Sequence, residues 1–440
     1  MLRYVSAWLL YPLAERHQGR QIRAKVATLR RHMAGSFAER MNWARTRLAS
    51  SLARAGADVP YYRDLFHKLG FDPAKLGRDL AYLEDLPYLT KDIIREQGPR
   101  LLSTQFQPGE LHVRKTGGST GPSTLIYYSQ EALDWTAAVN VVALEWAGKR
   151  PHMLEMHLAS RFPEQFPWRD RLKERVKSLV LNRVNLFTDS FDPPALDAMW
   201  QRIRRERPYL IQGHPSTLYA LATRLRDQQV GARGAFQIFE STGEVLDPRK
   251  REVIESVFAC RAIDRYGNAE FGVLAYERLR DSAGRMSVFD GIAWPEIADH
   301  DGQSELVFTA LRNDAMPLVR YRTGDLADLI STPEGFSIGN VCGRVHDLVR
   351  IGAHSYPTHY LQDLLDRIGG IDEFQVEQRS SGSSLLRLVV PDAAQRDAVS
   401  LRVRQWWGDE VQLEFTDFDG LVRGGWRNKF RYLVDAAPAA

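Results

Sequence analysis

Between Pro194 and Tyr266 short apolar runs alternate with helical patterns, and this alternation constrains the fold more than any other feature of the chain. Two helical patterns within residues 194–229 flank Tyr209-Leu210-Ile211-Gln212-Gly213, a short strand ended by Gly213 and Pro215. Ile238–Ser241 and Ala262–Tyr266 read as further strands, with a helix over Arg249–Phe258 between them. Strands linked through helices lie parallel in a sheet that helices cover, and ligands collect at the carboxyl ends of such strands. The expected class is α/β.

A chain of 440 residues is too long for one ordinary core. Its 44% hydrophobic and 26% charged residues suit a soluble globular protein. Residues 1–56 read as a basic, largely helical segment with Gly56 as its stop. Val59-Pro60-Tyr61-Tyr62 marks the break, because proline disfavours helix in the residue before it. Leu86-Pro87 and Lys91–Arg95 read as a turn entering a short helix. Leu111–Lys115 and Thr124–Tyr128 read as strands around a polar loop. Ser304–Ala310, Leu318–Arg322 and Leu326–Ser331 are short strand-like segments. Past Arg344 come a helix over Tyr360–Ile368, strands at Phe374–Gln378 and Leu385–Val390, and a helix over Ala394–Trp407, enough for a small α+β domain. There is no internal repeat.

The charge is lopsided. Residues 1–54 hold eleven Lys/Arg against two Glu, a net +9 in a chain whose total is +4, so the remainder is acidic. The segment reads first as a helix packed by Leu29, Phe37, Trp43 and Leu48 with a solvated basic face. Its second reading is a partly amphipathic helix that touches anionic lipid or an acidic partner. No zinc-finger or RNP-like pattern accompanies the basic stretch, which argues against nucleic acid. The early apolar run Val5–Ala14 is too short to span a bilayer and lacks the flanks of a signal peptide, so the chain is expected in the cytoplasm. Cys260 and Cys342 have no CxxC spacing and read as packed hydrophobes.

Five clusters carry chemistry. Thr116-Gly117-Gly118-Ser119-Thr120-Gly121 follows a strand; glycines expose backbone N–H groups to an anion and the hydroxyls donate further hydrogen bonds. A plain hairpin loop is the alternative, and no lysine stands where a P-loop needs one. Asp264-Arg265-Tyr266-Gly267-Asn268-Ala269-Glu270 offers a tyrosine to stack on a base and, in Glu270, a hard oxygen ligand of the kind Mg²⁺ takes beside phosphates; an ordinary helix-start carboxylate is the alternative. In Leu318-Val319-Arg320-Tyr321-Arg322-Thr323-Gly324-Asp325 a carboxylate leaves a strand at a glycine turn, placed to accept from two ribose hydroxyls. Arg344, within residues 343–352, suits ribose or phosphate. Lys429, within residues 427–432, suits the charge that develops on an α-phosphate.

Taken in order, these blocks resemble the adenylate-forming superfamily, specifically its phenylacetate–CoA ligase-like branch with the CapK-type capsular-polysaccharide proteins. The resemblance spans nearly the whole chain. TGGSTG at 116–121 looks like the phosphate loop, RYGNAE at 265–270 like the YGxxE block, and YRTGD at 321–325 like the ribose block. GRVHDLVRIGAHSYP at 343–357 is similar to the hinge region, and NKFR at 428–431 to the C-terminal GKxR signature. Ser241-Thr242-Gly243-Glu244 stands where the family has its adenine-contacting loop. Softer matches are Val59-Pro60-Tyr61-Tyr62-Arg63, Leu86-Pro87 with Lys91, and Gly213-His214-Pro215-Ser216.

The resemblance implies a large N-terminal adenylate-forming domain over 1–345, with helix-covered sheets, and a small mobile α+β domain over 346–440. It implies ATP and Mg²⁺, with activation of a carboxylic acid as its acyl-adenylate. The acyl group then passes to a nucleophile: CoA by family default, or a carrier-protein thiol, amine or sugar. Glu270 would hold Mg²⁺, Tyr266 would flank the adenine, Gly267 would belong to the nucleotide site, Asp325 would take the ribose, Arg344 would lie near the nucleotide, and Lys429 would catalyse adenylation. Trp135, His214, Pro215, Ser241 and Gly267 are candidates for the acyl pocket, and His346 for the hinge. Two positions depart from the pattern. Pro122 stands where many relatives have lysine, and His346 where aspartate or lysine is common. A non-catalytic nucleotide-gated assembly factor and an ATP-independent acyl transferase are the rival classes; neither needs Lys429, Glu270 and Asp325 together.

Overall fold

The computed structural model describes residues 1–115, 124–160, 168–188, 193–300, 302–344, 348–351, 354–357, 361, 365, 368–379, 383–424 and 429–435. The chain falls into two compact units. One comprises Met1–Met153, Leu179–Asn182 and Ile263–Val341; the other comprises Leu154–Ser178, Arg183–Ala262 and Cys342–Ala440.

The first unit opens with helices. Ser36 caps the helix Phe37–Asp58 through a reciprocal box with Glu39, satisfying two N–H groups that the first turn leaves unpaired. This helix does not stop at Gly56, as the sequence suggested, but two residues later at Asp58, before Val59-Pro60. Gly56 serves packing instead: a Cβ there would lie 2.8 Å from the Phe66 ring, so its absence lets the helix Pro60–Leu69 close against it. Leu48, Leu52, Tyr62 and Phe66 thereby join one core with the sheet residues Leu306, Phe308 and Tyr321. Leu29 is buried too, and Trp43 packs at the core's edge, in line with the packed reading of this segment.

That sheet has seven strands in the order Ala293–His300, Gln303–Ala310, Tyr321–Thr332, Gly335–Arg344, Met286–Val288, Gly272–Tyr276 and Arg265–Asn268. Its first three strands pair antiparallel, as do its last two. Two sequence-based expectations change here. Leu318–Arg322 and Leu326–Ser331 are not separate strands: one strand runs Tyr321–Thr332, and a register shift near Glu305 with Gly324 at φ +77° absorbs the irregularity as a bulge. Ala262–Tyr266 is not a single strand either. Arg261–Ile263 completes the second unit's sheet and Arg265–Asn268 begins this one. Asp264 makes the switch, because its carboxylate accepts from the Arg265 N–H while its own N–H donates to Glu277, which takes both groups out of a ladder.

The second unit contains the predicted parallel sheet. Its order is Arg183–Thr188, Glu155–Ser160, Leu210–Gly213, Ile238–Ser241 and Arg261–Ile263. The first four run parallel, with Gly213 in register with Ser241. The helices Pro193–Glu206, Pro215–Asp227 and Pro248–Phe258 cover it with Leu196, Trp200, Leu221, Ile254 and Phe258. The α/β class is thus established. The same unit holds a four-stranded sheet, Val411–Thr416, Ser384–Val389, Glu373–Gln378 and Leu433–Asp435, packed by Val399, Val403 and Trp407 of the helix Arg396–Trp407.

Candidate active site

In the first unit, two sequence blocks are tied by two reciprocal hydrogen bonds. Tyr266 of the 265–270 block donates to Asp325 of the 321–325 block at 2.8 Å. Tyr321 of the latter donates to Glu270 of the former, also at 2.8 Å. Each block therefore supplies a phenol that holds the other's carboxylate. Glu270 sits in the turn between Arg265–Asn268 and Gly272–Tyr276, where the Phe271 N–H donates to the Asn268 side chain and Tyr128 donates to the Ala269 carbonyl at 2.7 Å. The turn is tight enough to require glycine at 267, since a Cβ there would stand 2.3 Å from the Gly272 carbonyl oxygen. Asp325 follows the bulge: its N–H donates to the Thr323 hydroxyl, and the Gly324 N–H donates to Glu305.

Lys91 completes the cluster, with its ammonium 3.8 Å from the Glu270 carboxylate. The backbone places it. Leu89 pairs with Tyr321, its N–H donating to the Arg320 carbonyl and its C=O accepting from the Arg322 N–H, both at 3.0 Å. Thr90 then caps the helix Lys91–Gln97. Arg320, at φ +50°, donates to the Glu84 and Leu86 carbonyls and pairs with Glu296.

A metal is tested by the donors present. Glu270 is a single, mostly buried carboxylate, and among the described residues no group of three or more His, Cys, Asp or Glu could hold an ion. One carboxylate suits Mg²⁺, which keeps several waters and arrives on substrate phosphates, and does not suit a resident all-protein cage.

In the second unit the candidate residues gather at the carboxyl ends of two parallel strands. Ser241 ends the strand Ile238–Ser241, is fully buried, and its hydroxyl has no hydrogen-bond partner among the described residues. The Thr242 N–H donates to the Gly213 carbonyl at 3.1 Å, and Gly243 turns at φ +83°. Glu244 then reaches the start of the helix Pro215–Asp227, accepting from the Ser216 N–H at 3.2 Å and standing 3.6 Å from the His214 imidazole. Pro215 opens that helix, where its missing N–H costs nothing. Trp135, in the first unit, is buried on the helix Gln130–Trp146 with Arg312 over its ring at 3.8 Å and Lys25 at 5.2 Å. Burial brings the Arg312 guanidinium down to about 9.

Thr116–Gly121, Pro122 and His346 lie outside the described residues. Arg344 ends the strand Gly335–Arg344 and Lys429 begins the short strand Lys429–Phe430; their side chains are likewise outside the description.

No family model matches the chain. It is 28% identical over 365 residues to phenylacetate-coenzyme A ligase of Pseudomonas putida, covering 78% of this chain and 76% of that protein. It is 28% identical over 370 residues to phenylacetate-coenzyme A ligase of Escherichia coli, covering 77% and 82%. Protein CapK of Staphylococcus aureus is 20% identical over 352 residues. Among solved structures, 2-hydroxyisobutyryl-CoA ligase in its postadenylation state matches with a TM-score of 0.70 over 90% of each chain, at 20% identity. The chain thus resembles phenylacetate-coenzyme A ligases over about three quarters of its length and shares the fold of the solved 2-hydroxyisobutyryl-CoA ligase.

Sequence reasoning named Glu270 and Asp325 as candidates but passed over the groups that orient them. Tyr321 stood inside a block already quoted, and Lys91 among the softer matches; neither was assigned a partner. Their partners are far away in sequence, so spacing alone carried no signal for the contact.

Proposed function

We propose that the protein uses ATP to activate a carboxylic acid as its acyl-adenylate and passes the acyl group to a nucleophile, with CoA as the acceptor. The single observation that supports this best is the reciprocal pair Tyr266–Asp325 and Tyr321–Glu270. It fixes one carboxylate on a strand and the other in a tight turn, which is what positioning catalysis needs. In this reading Asp325 accepts from the ribose hydroxyls, and Ser241–Glu244 with Tyr266 and Gly267 serve the adenine. The 116–121 loop and Arg344 serve the phosphates and ribose, and Trp135, His214, Pro215, Ser241 and Gly267 border the acyl pocket.

Mg²⁺, when bound, neutralises phosphate charge, with Glu270 as its protein ligand. The acid's carboxylate oxygen attacks the α-phosphorus, the bond to the bridging oxygen breaks, and pyrophosphate leaves. Lys429 offsets the charge gathered on the α-phosphate. A thiolate then attacks the acyl carbon and AMP leaves. We further propose that 346–440 acts as a lid domain hinged at His346 on a 1–345 adenylation domain, and that the reaction takes place in the cytoplasm, where ATP and CoA are at hand.

The test is carboxylate-dependent ATP–pyrophosphate exchange over a panel of aryl, fatty and hydroxy acids. Exchange with one acid is expected, falling about 10²-fold or more in kcat in Lys429→Ala with little change in ATP affinity. ATP binding without exchange for any acid would favour the assembly-factor class.

A further inference from the structure

The first helical stretch has its amphipathicity turned outward. Leu2–Val5, a π-helical turn Ser6–Leu10, and Tyr11–His17 follow one another without a break. The small residues Ser6 and Ala7 are buried, whereas Leu2, Tyr4, Val5, Trp8, Leu9 and Leu13 are exposed, Trp8 at 67%. The stretch is nonetheless fastened down. Asn182 donates to the Arg3 carbonyl at 2.9 Å, and the Tyr4 ring stacks on His152 at 4.3 Å. Buried Glu15, near its end, pairs with Arg23. Arg3, Arg16 and His17 are exposed on it.

A second helix repeats the pattern. In Trp168–Val180 the residues Trp168, Leu172, Val176 and Leu179 recur at the spacing of one helix face, and all four are exposed, Trp168 at 63%. Arg169, Arg171, Lys173 and Arg175 flank them, all exposed, while Lys177 pairs with Glu174 at 3.0 Å.

Large apolar side chains left in water on ordered helices mark a surface kept for a partner. We propose that each of these two helices, by itself, is a peripheral docking element for an anionic lipid bilayer. Trp and Leu side chains enter the boundary between headgroups and acyl chains, while the flanking Arg and Lys meet lipid phosphates. Charge complementarity names the occupant: the helix Trp168–Val180 carries five Lys/Arg against Asp170 and Glu174, and residues 1–54 carry a net +9, which suits anionic headgroups. No helix among the described residues is long and apolar enough to cross a membrane, and the docking inferred is in the plane of the interface.

The experiment is flotation of the full-length chain with vesicles of phosphatidylcholine alone or mixed with phosphatidylglycerol, alongside light scattering without vesicles. Flotation with the anionic vesicles is expected, weakened by salt. It should be about tenfold weaker in Trp8→Glu/Leu9→Glu and in Trp168→Glu/Leu172→Glu. Arg169→Glu/Arg171→Glu touches only exposed side chains, so it must also weaken flotation and guards against misfolding of the apolar variants. Three results would overturn the proposal: no flotation of the wild type, flotation indifferent to all three variants, or a wild-type dimer that the apolar substitutions split without any vesicle binding.

Discussion

Burial of the Glu296 carboxyl raises its pKa from an ordinary 4.5 to about 7, against the opposing pull of Arg320 at 3.0 Å. Between those values the folded protein holds a proton that the unfolded chain has lost. The group's contribution to stability is therefore complete below about pH 4.5 and is lost as pH rises through about 7. Glu296→Gln removes this titration while keeping the shape. Denaturant unfolding should show the wild type losing about 1–2 kcal/mol relative to the variant between mildly acid and mildly alkaline buffer. Parallel pH profiles would mean that Arg320 keeps the carboxylate ionised throughout. At the same scale, Cys260 is chemically quiet: burial pushes its thiol up to about 12, so the packed-hydrophobe reading of that cysteine stands.

Elements in the second unit are joined by buried charge. Lys250 of the helix Pro248–Phe258 pairs with Glu373 at the start of the strand Glu373–Gln378 and donates to the Tyr432 hydroxyl at 2.7 Å. Asp247 stands 3.6 Å away, and the neighbouring Arg249 donates to the Ile371 carbonyl and pairs with Asp372. Burial opposes the Lys250 charge, but Glu373, Tyr432 and Asp247 together hold it protonated well above the usual lysine range. Removing one member of such a pair strands the other. Lys250→Met should cost about 3 kcal/mol or more, and Lys250→Met/Glu373→Leu should recover most of it, measured by urea unfolding. Additive losses would show that the two groups do not act as a pair. The sequence marked both elements correctly, yet nothing in the period of either one announced that they meet.

For the whole molecule, ligand linkage gives the broadest check. A ligand that binds only the folded protein stabilises it by about 2.7 kcal/mol at a hundred times its Kd. Mg·ATP should raise the thermal midpoint, and Asp325→Ala should abolish most of that rise at the same concentration. An unchanged rise would remove Asp325 from the nucleotide site.

Local pattern was enough for the parallel sheet and its helices, because hydrophobic period and Gly/Pro punctuation act over a few residues: Ile238–Ser241 and Leu210–Gly213 are strands where the sequence placed them. It was enough, too, for the motif blocks, whose backbone demands are local; Gly267 is glycine because only glycine fits its turn. Tertiary structure alone decided the rest. The change of sheet at Asp264 depends on Glu277, the continuous strand through Gly324 depends on Glu305, and the orientation of Glu270 depends on Tyr321 and Lys91. Each of these is a contact between residues distant in the chain, fixed by the energy of satisfying buried polar groups, which no short window of sequence contains.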